Sequence, residues 1–255
     1  MSKIYDALRR AERDRKKPGK GTSRRPARSR RRKGGHGHVF LRGIDEEFRR
    51  SLLTLRNSID SEMKQKESRV IMFTSAVKGE GKTTIIASLA RILTLGESER
   101  ILLVDCSVLN PELHQLFGIK KERGILDYLA GDISLQDAIH TLDEGVLDLI
   151  PLGTIKGEDA TQPLFNSERM ELFIKEVVGA YHYVLIDSSS ILEAPVTPII
   201  ASYADGVVMV VNAGKTRREV IKRAILSVEK FDGNFIGTIL NKKKYYIPEF
   251  IYRRV

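Results

Sequence analysis

An apolar run, Val70-Ile-Met-Phe-Thr74, leads into Ser75-Ala-Val-Lys-Gly-Glu-Gly-Lys-Thr-Thr84, and a helical pattern begins near Thr83. This order of strand, glycine loop and helix constrains the fold more than any other stretch, because it builds an anion site at a helix N-terminus. Gly79 and Gly81 let backbone N–H groups turn toward phosphate oxygens, and the helix adds the positive end of its dipole. Lys82 would bridge the β- and γ-phosphates of ATP, the Thr83 hydroxyl would ligate Mg²⁺, and Thr84 would bond the α-phosphate. The usual pattern G-x-x-x-x-G-K-[ST] asks for glycine where this chain has Ala76, so the loop is a deviant one. A turn that merely joins strand to helix is the alternative, and Gly-Lys-Thr in this setting speaks against it.

Further apolar runs alternate with helical segments: Ile101 to Val104, Leu147 to Pro151, Tyr183 to Ile186, Val207 to Val211 and Phe235 to Leu240. They are too continuously apolar to have a wet face. The expected fold is therefore α/β, a mostly parallel central sheet with helices on both faces. Asp105 follows one run and Asp187 another. In an open α/β sheet ligands gather at the carboxyl ends of the strands, so both carboxylates are candidates to face the phosphates and Mg²⁺, although an aspartate after a strand often serves as a turn or cap.

The net charge of +10 sits in one place. Residues 1–33 alone carry +12, and the remainder is close to neutral. Within that leader, Ile4, Ala7, Leu8 and Ala11 recur at helical spacing over Ser2 to Arg13. The stretch Lys16 to Gly37 is rich in Arg, Lys, Pro, Gly and Ser and has too little apolar surface to fold, so it reads as a disordered basic linker. Residues 1–40 are taken as this basic segment and 41–255 as the compact domain, which opens on a helix over Asp45 to Lys64 with Phe48, Leu52, Leu55 and Ile59 on one face. The leader has the charge to bind an anionic membrane surface or nucleic acid; without interleaved aromatic residues, nucleic acid is the weaker reading. A solvated leader is the plain alternative. The single cysteine, Cys106, forms no internal disulfide, and no apolar run reaches the length of a membrane helix or follows the basic N-terminus as a secretory signal would. A cytoplasmic protein is expected.

Ala76-Val-Lys-Gly-Glu-Gly-Lys-Thr-Thr84, Ile101-Leu-Leu-Val-Asp105 and Val184-Leu-Ile-Asp187 together resemble the Walker A, A′ and B motifs of the bacterial tyrosine kinases of capsule and exopolysaccharide synthesis, within the wider class of partition and division-site ATPases. Asn110-Pro-Glu-Leu-His-Gln-Leu-Phe-Gly118, Gly124-Ile-Leu-Asp-Tyr-Leu-Ala-Gly131 and the stretch Ala204 to Thr216 are similar to that family's connecting segments, so the resemblance spans about Phe73 to Lys242. It implies an ATP- and Mg²⁺-dependent tyrosine autokinase. Lys78, Gly79, Glu80, Gly81, Lys82, Thr83, Thr84 and Asn241 would bind the nucleotide, with Asn241 at the adenine. Thr83, Asp105 and Asp187 would serve the metal, and Lys82, Asp105 and Asp187 the transfer. The implied phosphoacceptors are Tyr245, Tyr246 and Tyr252. Implied partners are further copies of the chain, associating with nucleotide, and a membrane activator of the polysaccharide co-polymerase type that recruits the chain to the inner face of the membrane.

The chain departs from the family at three places. Ser107 stands where a second A′ aspartate is usual, Ser188-Ser-Ser190 replaces Thr-Pro-Pro, and Leu53 replaces the last arginine of E-x-x-R-x-x-R after Glu47 and Arg50. Lys78, where many such kinases have proline, resembles the lysine that partition-type ATPases extend to a partner's nucleotide. An ATP-switched dimeric ATPase and a non-catalytic ATP-binding scaffold therefore stand beside the kinase reading.

Overall fold

The computed structural model describes residues 45–243 except 65, 67, 96–98, 121–122, 144 and 156–160. The basic leader and the three C-terminal tyrosines lie outside the described residues.

Helix α1 (Glu46–Glu62) starts where the Asp45 carboxylate accepts the Phe48 N–H at 2.8 Å. It buries Leu52 and Ile59, each worth about 1.5–3 kcal/mol. After it come β1 (Arg69–Ser75), α2 (Lys82–Leu93), β2 (Ile101–Cys106), α3 (Leu113–Phe117), α4 (Ile125–Ala130) and α5 (Leu135–Ala138). Then follow β3 (His140–Asp143), β4 (Leu147–Ile150), α6 (Thr161–Phe165), α7 (Glu168–Val178), β5 (Tyr183–Ser188), α8 (Val196–Ala201), β6 (Gly206–Asn212), α9 (Arg218–Lys230) and β7 (Phe235–Asn241).

The strands form one seven-stranded sheet in the order β3-β4-β2-β5-β1-β6-β7, parallel throughout except for the β3–β4 pair. Beta-branched and leucine side chains fill β1, β2, β5 and β6 so completely that nearly every residue is buried. Alternate residues feed two cores, as the two-residue period of a strand requires. Met72, Val104, Ile186 and Met209 pack on the face covered by α4 and α6 to α9; Phe73, Leu103, Leu185 and Val210 pack on the face covered by α1 and α2. Each strand expected from the apolar runs is present; five are longer by one or two residues, and β4 stops one residue short, before Pro151. The antiparallel β3 was not expected, because its alternating exposure, with Thr141 and Asp143 outward, leaves only a short half-apolar run.

From β1 the chain crosses over β5 to reach β2, whereas from β5 it crosses the other way, over β1, to β6. The connections therefore diverge at the carboxyl ends of β1 and β5, which opens a crevice there. The phosphate loop follows β1, and Asp187 lies near the end of β5.

Candidate nucleotide site

Between β1 and α2 the chain makes the turn that the glycines permit. Gly79 has φ 82° and Gly81 φ 98°, both in the left-handed region. At Gly81 the requirement is steric as well, since a Cβ there would stand 2.3 Å from the side-chain nitrogen of Asn241. Four residues from outside, Asn212, Thr216, Asn241 and Lys242, hold the loop. The buried Glu80 carboxylate accepts from Val77 N–H at 3.1 Å, from Asn212 N–H at 2.8 Å and from the Thr216 hydroxyl at 2.5 Å. Asn241 donates its amide to the Glu80 carbonyl at 2.8 Å, and the Lys242 ammonium donates to the Gly79 carbonyl at 2.6 Å.

Above the loop lies a cavity of about 300 Å³. Lys78, Gly79, Gly81, Lys82, Thr83, Thr84 and Asn241 line it, as expected from the motif. So do Phe48 of α1, Ser107, Glu112, Ser189, Glu193 and Lys242, which motif reasoning did not assign to the nucleotide. Lys242 stood one place after the expected reader of adenine, but in a run of three lysines it gave no signal apart from a solvated tail.

Two expected residues sit differently. Glu80 is buried and turned toward the β6–α9 loop, and its side chain braces the phosphate loop from within. Asp105 is fully buried, accepting Ser107 N–H at 3.0 Å and Leu113 N–H at 3.2 Å. It holds the loop that brings Ser107, Leu109, Asn110 and Glu112 to the cavity. The serines replacing Thr-Pro-Pro act similarly: the Ser188 hydroxyl bonds the Phe73 carbonyl at 2.9 Å, and the Ser189 carbonyl accepts from Thr74 at 3.0 Å. They lace β5 to β1 where the loop departs.

Asp187 is the exception to this satisfied network. It is completely buried, directly across from Asp105 in the β2–β5 register, and neither oxygen meets hydrogen-bond geometry with a protein donor. Burial pushes its carboxyl up to about 6, against the opposing pull of the Lys82 ammonium and the Thr83 hydroxyl. Lys82 itself is drawn below the ordinary lysine value by burial, with Asp187 and Glu80 opposing; its ammonium donates to the Ser75 hydroxyl at 3.1 Å. A buried carboxylate with both oxygens orphaned fits a divalent cation. Among the described residues no cluster of three or more His, Cys, Asp or Glu could hold a metal. Mg²⁺ keeps water and substrate phosphates as ligands beside one or two carboxylates. Among the described residues no helix is long and apolar enough to cross a membrane.

A family model described as an AAA domain matches residues 68–240. Tyrosine-protein kinase YwqD of Bacillus subtilis is 30% identical over 191 residues, covering 75% of this chain and 79% of that protein. Tyrosine-protein kinase wzc of Salmonella typhimurium is 30% identical over 194 residues, but the chain spans only 26% of its length. Among solved structures, the kinase domain of Escherichia coli tyrosine kinase ETK superposes with a TM-score of 0.75 at 20% identity, over 86% of each chain. The MinD cell division protein of Aquifex aeolicus gives 0.57 at 28% identity, over 73% of each.

Proposed function

The chain belongs to the bacterial tyrosine kinases of the AAA-domain P-loop class, and on that premise we propose that it moves the γ-phosphoryl group of ATP to tyrosines of its own C-terminal segment in the control of capsule or exopolysaccharide synthesis. The observation that carries the chemistry is the orphaned, buried Asp187 beside Lys82 and Thr83 at the end of the phosphate loop.

In this reading Thr83 and Asp187 hold Mg²⁺, which when bound supplies positive charge to the β- and γ-phosphates. Lys82 and the backbone N–H groups of the loop bind and orient the same phosphates. The tyrosine oxygen forms the new bond to the γ-phosphorus, the bond to the β,γ-bridging oxygen breaks, and the phenolic proton passes to the carboxylate side of the cavity, where Glu112 and Glu193 line the wall. Asp105 acts on this step through the loop it holds. The acceptors are Tyr245, Tyr246 and Tyr252. A membrane-bound activator of the polysaccharide co-polymerase type would bring the chain to the membrane, with the basic leader adding attraction to anionic lipid. Self-association with nucleotide places one subunit's tyrosines within reach of another's cavity.

The experiment is to incubate the full chain with Mg²⁺-ATP, with and without an activator fragment, and map phosphotyrosine by mass spectrometry beside Lys82→Ala. Phosphate on any of the three tyrosines that vanishes in the variant supports the kinase. ATP binding with no phosphotyrosine under either condition removes it.

A second reading is favoured by Lys78, exposed at the cavity rim with its backbone N–H on Glu193 at 3.2 Å. A lysine there could reach a partner's nucleotide in an ATP-switched dimer. ATP-dependent dimerisation lost in Lys78→Ala, without phosphotyrosine in the wild type, would select it.

A further inference from the structure

Lys242 ends β7 with φ 58°, a left-handed backbone uncommon for any residue with a Cβ. Two hydrogen bonds hold it there. Its N–H donates to the Asn241 side-chain oxygen at 2.8 Å, and its ammonium donates to the Gly79 carbonyl at 2.6 Å. The side chain consequently lies across the phosphate loop, with Cε 3.8 Å from where a Cβ on Gly81 would stand, and it forms part of the cavity wall. Among the described residues no carboxylate lies within ion-pair distance of it.

Among the described residues the ammonium meets a neutral carbonyl and no carboxylate, and on the wall of the cavity above the phosphate loop it is poised for a stronger acceptor. A phosphate oxygen brings a negative charge that the Gly79 carbonyl lacks, so it is the stronger acceptor for an ammonium, and the four-carbon stem reaches a new partner by rotation alone. We propose that Lys242 is a nucleotide-contacting residue, a second cation that meets the phosphate chain from the β7 side of the loop while Lys82 meets it from the α2 side. This rests on the nucleotide reading of the site. It also gives the strained backbone a purpose: the αL turn at Lys242 is what folds the side chain back over Gly79 instead of letting it follow the strand outward. The same turn immediately precedes, in sequence, the segment that carries Tyr245 and Tyr246.

The test is calorimetric titration of the full-length chain with ATP, ADP and adenosine in Mg²⁺, for wild type, Lys242→Gly and Lys242→Arg, with the unfolding midpoint measured for each. Glycine removes the ammonium while accepting φ 58° without strain, so it separates loss of charge from loss of fold. The expected result is a roughly tenfold loss of ATP and ADP affinity in the glycine variant, about the size of one charge-assisted hydrogen bond. Adenosine affinity should stay unchanged, and arginine should restore most of the loss. ATP and ADP affinities within twofold of wild type in Lys242→Gly overturn the proposal, as does an equal loss for adenosine, which would mark Lys242 as a brace of the loop alone. A wild type that binds no ATP overturns both readings. One that binds ATP but forms no phosphotyrosine removes only the kinase, and the Lys242 affinities still decide this inference.

Discussion

Asn241 donates its side-chain amide to the backbone carbonyl of Glu80 at 2.8 Å, so the last strand of the sheet holds the middle of the phosphate loop. From the other side of the same residue, the Glu80 carboxylate reaches Asn212 at the end of β6 and Thr216 in the loop that follows it. One loop residue is thus fastened to two strands. The cradle has its shape before any phosphate arrives, which reduces the ordering cost of binding.

Glu80→Ala should therefore lower both stability and ATP affinity. It leaves Val77 N–H, Asn212 N–H and the Thr216 hydroxyl without their acceptor, at about 1–3 kcal/mol for each group that water does not reach. Urea unfolding should show a loss of several kcal/mol, and ATP titration a weaker site. Unchanged unfolding would show that the three bonds contribute little.

Gly81→Ala places a Cβ 2.3 Å from the Asn241 side-chain nitrogen on a backbone at φ 98°. Destabilisation of about 1–3 kcal/mol from the backbone alone is expected, with loss of ATP binding. The double variant Gly81→Ala, Asn241→Gly should recover only part of the stability, because it removes the clash and leaves the dihedral strain. Full recovery in thermal unfolding would assign the whole cost to the clash.

Asp187 sets a pH dependence whose sign follows from its raised value. Between its ordinary value near 4 and about 6 the folded chain holds a proton that the unfolded chain has lost, so this residue's contribution to stability falls as pH rises through that window. A shift of about two units corresponds to about 3 kcal/mol. Asp187→Asn should remove this slope from the stability–pH curve measured without nucleotide, leaving the variant more stable than wild type at pH 7.5. The stabilisation by Mg²⁺-ATP should instead grow in the wild type as pH rises through 6 and be lost in the variant. A wild-type slope that persists in Asp187→Asn would place the titrating group elsewhere.

Asp105→Asn keeps one oxygen to accept a backbone N–H and gives up the charge, whereas Asp105→Ala gives up both acceptors. If Asp105 acts by holding the loop, the asparagine variant should retain more phosphotyrosine formation than the alanine variant, with the loss following KM. An equal collapse of kcat in both, with unfolding midpoints near wild type, would make the charge itself part of the transfer step.

The order of strand, glycine loop and helix, and six of the seven strands, were legible because they rest on local facts. Continuous apolar runs mark strands buried on both faces, and Gly79, Gly81 and Lys82 are adjacent along the chain. The β3 hairpin arm was not legible, since His140 to Asp143 alternates over only four residues. Glu80 looked like a ligand residue from its place within the motif. Only its distance to Thr216, 136 residues away, reveals a brace.

The sequence by itself determined a phosphate loop on a parallel sheet and two aspartates at strand ends, because backbone conformation and burial period are encoded within a few consecutive residues. Tertiary structure decided what surrounds each of the two aspartates. Asp105 and Asp187 are equivalent as strings, each an aspartate after four apolar residues, and they face each other in register across β2 and β5. One meets the N–H groups of Ser107 and Leu113, while the other is buried against Lys82 and Thr83 with its oxygens unclaimed. Folding gives the first its backbone partners in the following loop, and it leaves the second as the carboxylate suited to a metal ion.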